Sequence, residues 1–253
     1  MRASSNTTSS NANCEFVINP VFHGGGRSIP LTLRAMPTAR GLRISVDAVR
    51  ERVLLTMPKR ASRRAALAWA EARRPWVEAL LADAPAARPF AQCAVLPIDD
   101  APVTIQHIPD GRRGIVRDGD VLLCACPADR LAARVEAWLK REALALLSAD
   151  TAHFAARAGV TISRVSVGDP RRRWGSCSSG AAIAYSWRLA LAPTFVRRSV
   201  AAHEVAHRLH MDHSPAFYAA YARVLGEDPA PAAAWLRRHG AELHLFGRGR
   251  HVG

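Results

Sequence analysis

Two histidines and a glutamate fall within five residues of one another as His203-Glu204-x-x-His207, and a further histidine follows at His213. On an α-helix, residues four apart share a face with side chains about 6 Å apart, so His203 and His207 can both turn a ring nitrogen toward one metal ion. Imidazole nitrogen is a borderline ligand that suits zinc, and a site with three protein ligands keeps a position for water. Glu204 lies roughly 100° round the helix from the first histidine. That is too far round for a ligand, but it suits a base that takes a proton from such a water. The chemistry offered is metal-assisted hydrolysis, with Zn2+ as the implied cofactor. Four of the ten histidines lie within residues 203–213, a clustering that argues against a chance match on a solvated helix face.

The third ligand depends on where the helix ends. In an unbroken helix His210 is about 10 Å along the axis from His203, too far for one ion with bonds of about 2 Å. His213 is farther still, about 15 Å, so it can serve only if the helix stops near Leu209 or His210 and the chain turns back. Ser214-Pro215 supplies the reason to stop, an N-cap followed by proline at the first position of a new helix running through Phe217 and Tyr221. The expected ligand set is therefore His203, His207 and His213. Hydrolysis also needs a donor for the developing oxyanion, for which Arg188, Tyr218, Tyr185 and His210 are the candidates. Cys177 is either an extra ligand or a turn-supporting thiol, and His153 reads as a packed helix residue.

These side chains must be held by an α+β fold. Residues 1–13 read as a polar tail. Residues 14–127 form a β-rich region in which IPLTLRAMP, GLRISVDA and RVLLTMP are strands, expected as an antiparallel meander. Ser62 caps a helix near residues 62–81, with Leu67, Ala70, Trp76 and Leu80 on or near its apolar stripe and Pro75 kinking or dividing it. Asp110-Gly111 marks a hairpin. Asp129 opens a second domain, residues 128–247, as the cap of a long helix over 130–158 bearing Leu131, Val135, Trp138, Leu139, Leu144 and Leu147, and Gly159 ends it. Residues 160–193 read as two strands around Ser178-Ser179-Gly180, a hairpin able to pair with an extended peptide beside the metal. Residues 248–253 are a short tail.

The chain has 253 residues and is 49% hydrophobic, enough for a sizeable core, with no apolar run of the roughly 20 residues a membrane helix needs. Its opening lacks the apolar segment of a secretory signal, so a cytoplasmic, membrane-free protein is expected. Five cysteines without scaffold spacing read as reduced, and Cys124-x-Cys126 as alternate strand positions. The net charge of +14 draws attention to nucleic acid as a partner. Only two of the 35 basic residues are lysines, however, and the arginine pairs are scattered, which fits solvated faces.

Arg173-Trp174-Gly175-Ser176-Cys177-Ser178, Trp187-Arg188-Leu189, Pro193, His203-Glu204-x-x-His207, Asp212-His213-Ser214 and Phe217 together closely resemble the signature of the YgjP-like metallopeptidase family. The resemblance extends over roughly residues 20–247. It implies a small zincin-like helical and hairpin catalytic domain, related in plan to SprT-like proteases and preceded by a β-rich N-terminal region. It carries over His203, His207 and His213 as metal ligands, Glu204 as catalytic glutamate, and a protein or peptide as substrate. The chain departs from the family at Asp212, where asparagine is usual, and at Tyr218, where tryptophan is usual. Asp212 is expected to support a ligand from behind. The competing reading is a metal-stabilised module for nucleic-acid or protein interaction without catalysis.

Overall fold

A computed structural model of the chain describes residues 19–47, 52–83, 86–109 and 114–248. The tail at residues 1–13 and the Asp110-Gly111 turn lie outside them. Two compact units are formed, Met1–Ala84 and Pro85–Gly253.

The first unit holds strands β1 (Val21–Gly24), β2 (Arg27–Met36), β3 (Arg43–Asp47) and β4 (Arg52–Pro58), ordered β1-β2-β4-β3. β2 and β4 run parallel, so the sheet is not the meander that alternation suggested. β4 buries Val53, Leu55 and Met57 and takes a central place, while the more polar β3, with Arg43, Ser45 and Asp47, is left at the edge. One apolar face, including Phe22, Ile29 and Leu31, packs with Ala66, Leu67 and Ala70 of α1 (Arg63–Glu71) and with Val77 and Leu81 of α2 (Arg74–Ala82). Ser62 Oγ accepts the Ala65 N–H at 3.4 Å and starts α1. Pro75 sits in the first turn of α2 and restarts the helix in a new phase. The buried stripe thereby passes to Val77 and Leu81, which leaves Trp76 51% and Leu80 40% exposed, contrary to their expected burial.

The second unit opens with the same plan. β5 (Val95–Ile98), β6 (Ala101–Ile108), β7 (Gly114–Asp118) and β8 (Val121–Ala125) are ordered β5-β6-β8-β7, again with the central pair parallel and the outer pairs antiparallel. Their apolar face is covered by α3 (Leu131–Ala158). Leu96, Val103, Ile105 and Leu122 join Val135, Leu139 and Leu147 in the core that also receives Val196, Ala201 and Val205 from the segment of His203 and His207. The sheet therefore belongs to the unit that carries the site, and the boundary lies at 84/85 rather than 127/128.

A short 3-10 turn, Ala128–Arg130, precedes α3, and Arg130 takes its cap position without a side-chain bond, so Asp129 is not the cap. Leu144 lies off the buried stripe and is 39% exposed. Gly159 ends α3 at φ 67°, a left-handed conformation open to glycine.

Beyond α3 come three strands rather than two. β9 (Arg164–Gly168) adds in parallel to β11 (Ala182–Ser186), which pairs antiparallel with β10 (Gly175–Cys177). The order β10-β11-β9 leaves β10 at an edge. Helices α4 (Thr194–Ala206), α5 (Pro215–Leu225) and α6 (Ala230–Leu243) complete the unit. No helix among the described residues is long and apolar enough to cross a membrane.

Candidate metal centre and its cleft

Helix α4 begins after Pro193 without a side-chain cap of its own. The tight turn between β5 and β6 supplies one. Asp100 Oδ1 accepts the Thr194 N–H at 3.0 Å, and Asp99 Oδ1 accepts the Thr194 hydroxyl at 3.2 Å and an Arg197 N–H at 3.0 Å. The Arg197 bond holds the Asp99 carboxyl below the ordinary range. On its other side Arg197 Nε donates to Asp150 Oδ2 of α3 at 2.8 Å, with both side chains almost wholly buried. The start of the helix is thus fixed by groups 94 and 47 residues away in sequence.

The end of α4 is as sharp as the sequence required. The helix proper stops at Ala206, and Arg208 and Leu209 donate to Val205 and Ala206 in a tightened last turn. Ser214 Oγ accepts the Phe217 N–H at 3.4 Å with Pro215 next in line, so α5 starts there and His213 stays in the connection. That connection folds back onto α4. His213 Nε2 lies 3.3 Å from His203 Nε2, and the ligand atoms of His203, His207 and His213 all lie within 4.8 Å of one another. His210 does not join that cluster, but its carbonyl accepts His207 Nδ1–H at 3.2 Å, which leaves Nε2 of His207 with a free lone pair. Asp212 does not back a ligand. Its carboxylate takes the Ser214 hydroxyl at 2.8 Å and shapes the turn.

Burial sets the protonation of the site. Desolvation, reinforced by His207 and His213, lowers the His203 pKa to about 4, so its ring is neutral and ready to ligate. Burial raises Glu204 to about 7, with the Arg173 charge pulling the other way. The Glu204 carboxylate lies against β10. A Cβ built on Gly175 falls 2.5 Å from Oε1, so only glycine lets the strand approach this close. The donor set, three nitrogens converging beside a buried carboxyl group, fits a zinc ion with one position left for water.

These groups line a cleft of about 620 Å³. Residues 173–177 form one wall, α5 contributes Tyr218 and Tyr221, and α6 contributes Ala233 and Leu236. Tyr221 is buried, 2.5 Å from Ser199 Oγ through its hydroxyl, with its ring 5.1 Å from that of His203. Tyr218 is 53% exposed and its ring is 6.2 Å from that of His213.

The other oxyanion candidates are placed elsewhere. Tyr185 is buried against Thr151 Oγ1 at 2.9 Å. Arg188, 2% exposed, is held by Asp169 at 2.6 Å and by the Leu243 and Phe246 carbonyls at 2.8 and 2.9 Å. It ties the C-terminal segment to the sheet and does not line the cleft, because its guanidinium is fully engaged in the core. Cys177 lines the cleft without joining the ligand cluster, and His153 is exposed on α3. Sequence reasoning missed Arg173 and Gly175 as cleft residues, although both sit in the quoted RWGSC stretch.

The model of the YgjP-like metallopeptidase domain matches residues 40–239. The chain belongs to the YgjP-like metallopeptidase family. The match takes in the histidine triad, Glu204, β10 and the first ten residues of α6. Comparison with curated proteins and with solved structures finds no match for the chain.

Proposed function

We propose that this YgjP-like chain is a zinc-dependent peptidase whose substrate lies extended along β10. The observation that carries the reading is the convergence of three histidine nitrogens within 4.8 Å beside a buried glutamate, in a cleft walled by an edge strand. His203, His207 and His213 would hold the zinc, which would supply a Lewis acid for the scissile carbonyl and for a water molecule. Glu204, as carboxylate, takes the water's proton and returns it to the leaving amine. The free edge of residues 175–177 offers backbone donors and acceptors to an extended peptide, and the apolar walls exclude water from it. Tyr218, at the rim beside His213, is the hydroxyl best placed to donate to the oxyanion.

A closed structural metal site takes four protein ligands, whereas the cluster among the described residues has three. Glu204→Gln keeps the ligands and the shape of the site and removes the base. Screened on a diverse peptide library, the wild type should cleave while Glu204→Gln, with its zinc retained, does not. Cleavage by the glutamine variant at the wild-type rate would overturn the assignment of Glu204.

A further inference from the structure

One end of the first unit's sheet is charged far beyond what its fold requires. Because β2 and β4 are parallel and β3 is antiparallel to them, the end of β2, the start of β3 and the end of β4 come together. The segments that meet there, residues 34–43 and 56–60, contain Arg34, Arg40, Arg43, Lys59 and Arg60 and no acidic residue. Among the described residues none of these five cations has a hydrogen bond or an ion pair. Arg34 and Arg43 are both in register with Thr56, so they stand in one row across three neighbouring strands, both exposed. Two strand spacings separate them by about 10 Å. Helix α1 starts at the same end and places Arg63 and Arg64 in its first turn, where the helix dipole disfavours cations and favours bound anions.

The second unit provides an internal control, since its first sheet has the same strand order and directions. Counted from the equivalent hairpin turns, the row that corresponds to Arg34, Thr56 and Arg43 is Ile108, Ala125 and Gly114. The residues three and four beyond Ala125 are Ala128 and Asp129, where the first sheet has Lys59 and Arg60. The matching segments of the second unit, residues 108–114 and 125–129, hold Arg112 and Arg113 against Asp110 and Asp129, so the same topology is built there without a surplus of positive charge.

The neighbouring chemistry narrows the ligand. The two segments contain no Phe, Tyr or Trp, so the unstacked bases of a single strand would find no platform there. The exposed Trp76 and Leu80 belong to α2, whose last turn packs against Gly24 at the opposite end of the sheet. The cations thus lack the apolar companions that seat a protein on a bilayer. What remains is a ligand offering closely spaced phosphates, and a duplex presents them most densely. We propose that this end of the sheet docks the phosphate backbone of a DNA duplex without reading its bases. The proposal stands on the first unit alone and does not depend on the hydrolytic reading of the cleft.

The test is fluorescence anisotropy of a labelled DNA duplex of about 30 base pairs with the full chain, titrated from about 50 to 200 mM salt. Each phosphate contact adds about −0.9 to the slope of log K against log salt, so Arg34→Ala/Arg43→Ala should make the slope shallower by about 2. Arg34→Glu/Arg43→Glu should weaken binding further, and Lys59→Ala/Arg60→Ala should repeat the effect from the adjoining turn. Arg134→Ala/Arg141→Ala removes the same charge from exposed positions on α3 and should leave the slope unchanged. Equal effects from the α3 pair and the sheet pairs would overturn the proposal. So would failure of the wild type to bind the duplex at about 50 mM salt, whether or not it binds single-stranded DNA or vesicles of anionic phospholipid.

Discussion

Asp150 tests whether the metal helix is anchored through α3. Its carboxylate, with the side chain 7% exposed, takes Arg197 Nε at 2.8 Å and Arg198 at 3.4 Å. Arg197 is itself 5% exposed, so Asp150→Ala strands a buried guanidinium. Removing one partner of a buried ion pair costs about 3–5 kcal/mol. Asp99 remains at 3.0 Å to satisfy part of the guanidinium, which places the expected loss at the lower end, about 3 kcal/mol. For a domain of about 150–250 residues that corresponds to a fall in Tm of about 6–12 °C. The double substitution Asp150→Leu/Arg197→Met removes both charges at similar volume and should recover most of the loss, because the stranded charge dominates the cost. Urea unfolding of the wild type, the single variant and the double variant measures all three. A loss below about 1 kcal/mol for Asp150→Ala, or no recovery in the double variant, would refute the reasoning.

Two further outcomes follow from contacts in the same unit. In Gly175→Ala the new methyl falls 2.5 Å from Glu204 Oε1 and must displace the carboxylate by about 1 Å, so kcat/KM for peptide cleavage should drop about 100-fold with zinc content unchanged. Wild-type kinetics in that variant would mean that contact with β10 does not position Glu204. Burial alone would raise the Asp169 carboxyl, but its bond to Arg188 and the charges of Arg188 and Arg248 hold it below the ordinary value. A depressed carboxyl stabilises the fold above its unfolded pKa of about 3.9, and that contribution is lost as pH falls through the lower folded value. Asp169→Asn should therefore cost a constant amount of stability from about pH 7 to 5 and flatten the loss below about pH 4. An unchanged acid limb in urea titrations would contradict this role.

The site was legible because its chemistry is local. A His-Glu-x-x-His run puts two candidate ligands and a candidate base on one turn of helix, and Ser214-Pro215 announces the restart that leaves His213 free to fold back. Pro75 was read correctly as dividing a helix, yet its phase shift, which exposes Trp76 and Leu80, depends on which residues the sheet below covers. What escaped the sequence is long-range. The parallel pairing of β2 with β4 and the addition of β9 to β11 are settled by competition for burial between segments separated by loops, which periodicity within one segment cannot register. The capping of α4 by Asp99 and Asp100 crosses about a hundred residues, and nothing near Thr194 signals it. Arg188 was a natural candidate for the cleft because it lies in a tryptophan-containing motif close to the metal helix. Its engagement by Asp169 and two C-terminal carbonyls becomes visible only in three dimensions.

The most direct test of the metal centre is chelator competition for zinc in the wild type, His213→Ala and His210→Ala. The fold brings the His213 ring nitrogen to 3.3 Å from that of His203, while His210 contributes only its carbonyl, to His207. The wild type should hold one zinc per chain. His213→Ala should lose affinity by two or more orders of magnitude, as deletion of one of three nitrogen ligands requires, and His210→Ala should stay close to wild type because its backbone carbonyl is kept. The opposite ranking, or a wild type that takes up no zinc, would contradict the account.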